Sequence, residues 1–590
     1  MNAEDREALR IMAVRRQLTE SGLTRREAAK MGLLVGTAWT LPTARSAEAQ
    51  VASLPPPSPP TRPWVEPLPV PPVALPTTLD PPPYGPGHQG WGYAAPVLSY
   101  ELNARRALHS FHPDLPPSLI FGFDGRFPGT TVDAWYGQPV LIRYRNDLPV
   151  DHVGFGSTDL VVHLHNFHTP AESDGGPWDW VGPGSYVDCH YPMLRAGFAT
   201  GRVPPLYADD AGGDLRESLT TLFFHYHRPE FTTAGVYRGL AGMFRIFDAD
   251  DTGDETTGWR LPSGIHDVPL VFADKRFDPI TGELIFDQFA TDGFLGDKLT
   301  VNGKIQPYME VQQRKYRFRL LNVGPSRFYR FVFRYGGTNQ TFTQITQNGN
   351  FLEAPRTITQ TEMWVAERND LVIDFSRFPA GARLYLANRL KMRSDGRGAD
   401  RSSLLNPNLV ENQLLEFRVL GGPVEDPSRV PTLFRPFPPV DLSEVARERT
   451  WTFTRRNGGW QINDRFWDPD IDHAPSRLLN PINQVRRNTA EIWNLVSNGG
   501  GWEHPIHIHF EEGRMLRYNG RKVPAEQNGR LDMYRLVGNG WVRVFIRFRD
   551  YPDPTAPHFH RGKSGRYVMH CHNTVHEDHA MMATFNVVPG

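Results

Sequence analysis

Val542, Val544, Ile546 and Phe548 alternate with Arg543 and Arg547, and Tyr316, Phe318 and Leu320 alternate with Arg317 and Arg319. Side chains two apart share one face of a strand, so both segments read as half-buried β-strands. Long amphipathic helices are hard to find along the chain, which predicts an all-β architecture. Three strand-like segments end in asparagine: Val140 to Asn146, Tyr316 to Asn322, and Glu491 to Asn498. Their terminal asparagines are equally spaced, although the third copy can slip by one residue. The repeat predicts three similar β-domains.

Composition agrees with that pattern. A chain of 590 residues is too long for one domain, and its 53 glycines and 53 prolines suit short strands joined by turns. The 64 Lys and Arg nearly balance the 65 Asp and Glu, and no long single-sign run occurs. A nucleic-acid partner is therefore not expected. Thr24-Arg25-Arg26-Glu27-Ala28-Ala29-Lys30 resembles a twin-arginine export motif. It is followed by an apolar run from Met31 to Leu41 and by Ala47-Glu48-Ala49, a small-residue cleavage site. This order predicts a periplasmic or secreted protein; the other reading is a cytosolic helix that happens to carry Arg-Arg. The run is too short to span a bilayer comfortably, and no other apolar stretch is long enough. Ser53 to about Gly87 is proline-dense and reads as a semi-rigid extended linker. The expected division is a signal peptide over 1–49, a linker over 50–95, and β-domains over 96–260, 261–425 and 426–590.

The two cysteines, Cys189 and Cys571, do not make a disulfide framework. Cys189 reads as a free, partly buried thiol. Cys571 lies between two histidines, which points to metal chemistry. Four histidine clusters stand out: His163-Leu164-His165; His225-Tyr226-His227; His504-Pro505-Ile506-His507-Ile508-His509; and His570-Cys571-His572 with His576 and then Met581. On a strand each His-x-His pair offers two imidazoles to one side. His504 lies an odd number of positions before His507 and His509 and points the other way. Cys571 likewise points away from His570 and His572. Cys571, His504 and His576, with Met581 as a weak axial thioether, make a blue-copper set. The remaining eight, His163, His165, His225, His227, His507, His509, His570 and His572, can hold three coppers as two plus three plus three. Structural zinc is the rival for Cys/His mixtures, but it prefers closed sites that often have paired cysteines.

The four clusters resemble the copper signatures of the multicopper oxidases, and the chain looks most like the bacterial spore-coat laccase and bilirubin oxidase group. Supporting stretches are Leu115-Pro116-Pro117-Ser118, Val301-Asn302-Gly303-Lys304, Lys315 to Arg319, and Ser564-Gly565-Arg566-Tyr567-Val568. The resemblance implies three cupredoxin-like Greek-key β-sandwich domains and four copper ions. It implies a type 1 copper at His504, Cys571, His576 and Met581, and a type 2 copper at His163 and His507. The type 3 pair then takes His165, His225, His227, His509, His570 and His572. It further implies one-electron oxidation of phenols, aromatic amines or bilirubin-like pigments, coupled to four-electron reduction of dioxygen to water. A monomer is expected.

Dioxygen reduction consumes protons, and Glu577 and Asp174 are the candidate proton carriers; surface carboxylates in turns are the alternative. The second signature departs from the family, reading Phe223-Phe224 before His225 and Tyr226 between the two histidines. Glu511 and Glu512 follow His509 where apolar residues are usual. They read either as a solvated acidic turn or as a site near the electron donor that favours cations or Mn(II). His558-Phe559-His560 reads as a loop, and His168 and His579 as non-ligands. Two other functions stay open: a metallo-oxidase acting on Mn(II) or Cu(I), and a copper-binding or resistance protein without catalysis. The chain lacks the methionine-rich insert of cuprous oxidases.

Overall fold

The computed structural model describes residues 56–588 apart from 89–90, 93, 153, 195–204, 208–212, 395, 423, 457, 473–482 and 550–564. The export motif and His558-Phe559-His560 lie outside the described residues. Among the described residues six of seven sheets pair into three sandwiches, the seventh being a two-stranded hairpin, and the longest helix is Thr232–Arg238. None of the described helices is long and apolar enough to cross a membrane.

The asparagine repeat marks equivalent strands. Val140–Asp147, Lys315–Asn322 and Thr489–Ser497 each run parallel to the strand Leu98–His109, Asp267–Lys275 or Val445–Arg456 of the same sandwich. Asn146 and Asn322 do the same work at the strand end. Each side-chain oxygen accepts a backbone N–H two residues on, from Leu148 (3.2 Å) and Gly324 (3.0 Å). Neighbours in the sheets are mostly not consecutive in sequence, as Greek-key crossovers require. The fold is all-β with cupredoxin-like sandwiches.

The alternation at 542–548 behaves as expected. Val542, Val544, Ile546 and Phe548 enter the third core, while Arg543 and Arg547 reach out to Glu448 and Glu444. The alternation at 316–320 does not. Arg317 and Arg319 are fully buried, because their face of the sheet is covered by the first sandwich. Arg317 pairs with Asp251 (2.8 Å) and Asp370 (2.6 Å), and Arg319 with Asp267 (2.7 Å); both also donate to Thr220. A buried guanidinium is tolerated only when its donors are satisfied in this way.

The contacts with Asp251 and Thr220 join the second sandwich to the first, while Asp370 and Asp267 neutralise the arginines from within their own sheet, and that neutralisation is testable. The surrounding arginines hold the Asp267 carboxyl down at about 2 despite its burial. That stabilisation is full above the ordinary carboxyl value and is lost as pH falls toward 2, roughly 2 kcal/mol in all. Asp267→Asn strands Arg319 and should cost about 3 kcal/mol or more. Thermal melting checks this, and an unchanged melting temperature would count against it.

The proline-rich segment is extended but does not hang free. Trp64 and Leu68 donate backbone N–H groups to Gln306 and Tyr308, at 3.0 and 2.6 Å, and Ala74 and Thr77 donate to Thr131 and Ser99, at 2.7 and 2.8 Å. Ser58 binds Asp297, and Arg62 pairs with Asp114. Prolines occupy positions that need no donor, as on an edge strand. The segment straps the second sandwich to the first.

Candidate metal centres

Two antiparallel strands of the third sandwich carry most of the chemistry. His504–Ile508 pairs with Arg566–Cys571, placing Ile506 opposite Cys571 and His507 opposite His570. Opposed residues share a face, so His504 and Cys571 lie on one side of the sheet and His507 and His570 on the other. The short helix Thr574–Asp578 follows and returns His576 to the first side.

On that side the Cys571 sulfur lies 3.5 Å from Nδ1 of both His504 and His576, and those two nitrogens are 3.3 Å apart. All three residues are fully buried. Met581 is fully buried in the same core; its carbonyl accepts the Cys571 N–H (3.1 Å) and its N–H reaches the His576 carbonyl (3.0 Å). Burial pushes the Cys571 thiol up, well above its ordinary value. Only a cation at this point would make the thiolate the favoured form.

On the other side the eight remaining histidines converge. In the first sandwich Val162–His165 pairs with Thr221–Tyr226, setting His163 opposite His225. Three groups of facing ring nitrogens result: His163, His165 and His507; His165, His225 and His572; and His227, His509 and His570. His163 and His507 meet at 3.3 Å through Nε2, and His570 lies 3.3 Å from His227 and 3.2 Å from His509. Burial holds His163, His165, His227, His507, His509 and His572 well below the usual imidazole range, and His225 at about 3. Neutral imidazoles are the metal-binding form. Nε2 of His165 and His225 and both ring nitrogens of His572 are buried with no hydrogen-bond partner. Orphaned nitrogens facing one another fit metal ions, because a buried polar atom without a partner is otherwise costly.

Partners around the rings fix which nitrogen faces inward. Nδ1 of His163 donates to the Asp174 carbonyl (2.6 Å), and Nδ1 of His225 to the Tyr226 carbonyl (2.9 Å). Such contacts set tautomer and ring pitch. The two sequence-proposed acids are both buried at the cluster rather than in surface turns. Asp174 accepts from His509 Nδ1 (2.7 Å), and burial pushes its carboxyl well above the ordinary range. Glu577 lies 3.1 Å from His570 Nδ1 and 3.4 Å from His227 Nε2, and neither of its oxygens has a hydrogen-bond donor.

Other expectations change. Glu511 and Glu512 form neither a solvated turn nor an exposed cation site. Both are buried and paired with arginines, Glu511 with Arg549 (3.4 Å) and Glu512 with Arg530 (2.6 Å). The arginines arrive from 18 residues or more down the chain, so local sequence could not reveal the pairing. His168 sits 3.2 Å from Glu511, and His579 Nδ1 donates to the Val575 carbonyl (2.6 Å); both lie outside the ligand groups. Cys189 is a buried thiol outside any disulfide.

Several functional contacts had no sequence signal. Asp532 and Arg368 contact the cluster, and Trp460 stacks on His576 at 3.7 Å. A lone Arg or Trp in a strand, or a lone Asp in the bend between two strands, carries no spacing motif.

The family model described as multicopper oxidase matches residues 452–590. The chain is 30% identical to a bilirubin oxidase of Albifimbria verrucaria, over 88% of this chain and 80% of that protein. It is 29% identical to a laccase of Bacillus stratosphericus, over 83% of this chain and 94% of the laccase. In fold it is similar to a variant of the McoA multicopper oxidase of Aquifex aeolicus, with a TM-score of 0.69 and 23% identity. That match covers 88% of this chain and 99% of the other. With its converging histidines and buried Cys571, the chain belongs to the multicopper oxidase family, oxidoreductases that bind copper and use dioxygen as acceptor.

Proposed function

We propose a laccase-like oxidase that takes single electrons from phenols, aromatic amines or bilirubin-like pigments. His504, Cys571, His576 and Met581 would hold a type 1 copper, His163 and His507 a type 2 copper, and the other six histidines a type 3 pair. Four bound coppers would supply one-electron transfer at the first site and four-electron reduction of dioxygen to water at the cluster. The single observation that carries the reading is Cys571 itself. Its side chain belongs to one buried group while its covalent neighbours His570 and His572 belong to the other. Two short covalent paths therefore join the groups.

The donor side follows from His576. Its Nδ1 faces the Cys571 sulfur, and its Nε2 points outward to the carbonyl of Asp292 (3.1 Å), a residue whose side chain is 30% exposed. Trp460 covers the ring, and Trp502 stands edge-on at 5.7 Å. Both indoles are buried and enclose the ring, which leaves the half-exposed Asp292 side as the approach for an aromatic donor. The division of the chain at 96–260, 261–425 and 426–590, and export to the periplasm or medium, belong to the same reading.

Copper-loaded protein given a simple phenol in an oxygen electrode should consume dioxygen, four phenol oxidations for each molecule. A blue, fully loaded protein that takes up no oxygen would reject the oxidase in favour of a copper-binding role.

A further inference from the structure

Two aspartates occupy equivalent places on either side of the histidine cluster. The carbonyl of Asp174 accepts from His163 Nδ1 (2.6 Å), on its own sandwich, and its side chain accepts from His509 Nδ1 (2.7 Å), on the third. The carbonyl of Asp532 accepts from His507 Nδ1 (3.0 Å), on its own sandwich, and its side chain accepts from His165 Nδ1 (2.6 Å), on the first. The rings repeat the relation. His163 stacks on His509 at 3.8 Å and His165 on His507 at 3.6 Å, both inclined by 22°. The cluster thus has a local two-fold relation, and each outer sandwich supplies the carboxylate that holds an imidazole of the other.

The relation is broken at one point. Arg368, fully buried and placed by the second sandwich, donates to both oxygens of Asp532 at 3.1 and 3.0 Å. It is anchored in turn on the carbonyls of Ala366 (2.9 Å) and Asn348 (3.1 Å). Among the described residues no such cation reaches Asp174, and its Oδ1 lacks a hydrogen-bond partner. None of the twelve proposed ligands comes from the second sandwich, yet Arg368 brings that sandwich to within one side chain of His165.

We propose that Asp532, clamped by Arg368, is a positioning residue for the cluster. It keeps the proton of His165 on Nδ1, so that the unpartnered Nε2 faces the metal position, and it fixes the pitch of that ring against His507. The second sandwich contributes to the metal centre through this contact. The inference rests on the reading of the eight histidines as a trinuclear copper site.

The test measures copper per chain, copper affinity against a chelator, the paramagnetic resonance of the type 2 ion and the blue band, all in the full-length protein. Asp532→Ala should weaken copper binding at the cluster by about 10–100-fold. The type 2 resonance should change while the blue band of the Cys571 site stays. Asp532→Asn retains an oxygen for His165 and should recover most of the affinity. The double variant Asp532→Asn/Arg368→Met leaves no unpaired buried ion, which keeps the question open to measurement if Asp532→Ala fails to fold. It should bind copper about tenfold more weakly, with an altered type 2 resonance. Native affinity and resonance in Asp532→Ala, or in the double variant, would overturn the proposal. A parent protein that holds no copper at the histidines would instead overturn the reading of the site itself.

Discussion

Cys571→Ser should lose the blue colour, one copper and the oxidase activity together, while the histidine cluster keeps its own metal. Among the described residues the sulfur is the only donor near His504 and His576 that can become a soft anion, and it is fully buried. A serine hydroxyl in the same place is harder, shorter and uncharged, so a site made to suit both copper oxidation states is lost. His570 and His572 flank the substitution but face the opposite side of the sheet, where their partners His507, His509 and His227 are unchanged. Activity falls to background, because a donor electron no longer has a first acceptor. Visible absorption, copper content and oxygen uptake are measured on one preparation. Phenol-driven oxygen uptake at the parent rate by the colourless variant would defeat the two-site reading.

Glu577→Gln should lower turnover by about 10²–10⁴-fold while leaving copper content and the blue band unchanged. The carboxyl group lies beside His570 and His227, has no hydrogen-bond donor of its own, and is buried from bulk water. Glutamine keeps the shape and the oxygen but cannot give up a proton. Asp174→Asn should act in the same direction, with one difference. Asp174 also holds His509 at 2.7 Å, so that variant should weaken copper binding as well as slow turnover. Oxygen uptake at saturating donor, with copper counted on the same samples, separates the two. Undiminished turnover in copper-replete Glu577→Gln would remove it from the proton path.

The local part of this architecture was legible in the order of residues. Strand parity alone puts Cys571 and its two neighbours on opposite faces, because successive side chains of a strand must alternate. The asparagine repeat marked three equivalent strands, and the first two sandwiches end that strand with the same side-chain turn. Parity was not enough at Arg317 and Arg319. Alternating charge looks the same whether the far face meets water or another sandwich, and here it meets the first sandwich through Thr220 and Asp251. Glu511 and Glu512 failed for the same reason, their arginines being supplied from elsewhere in the fold.

The sequence by itself determined the donor types, their spacing and the faces they take, all consequences of backbone geometry over a few residues. Only the tertiary structure decided which imidazoles meet, as when His163 reaches His507 across 344 positions of chain. It alone showed that Asp532 and Arg368 stand behind His165 and that the proline-rich segment is a strap. Those contacts depend on how three sandwiches dock, and docking depends on whole buried surfaces, which no short stretch of residues records.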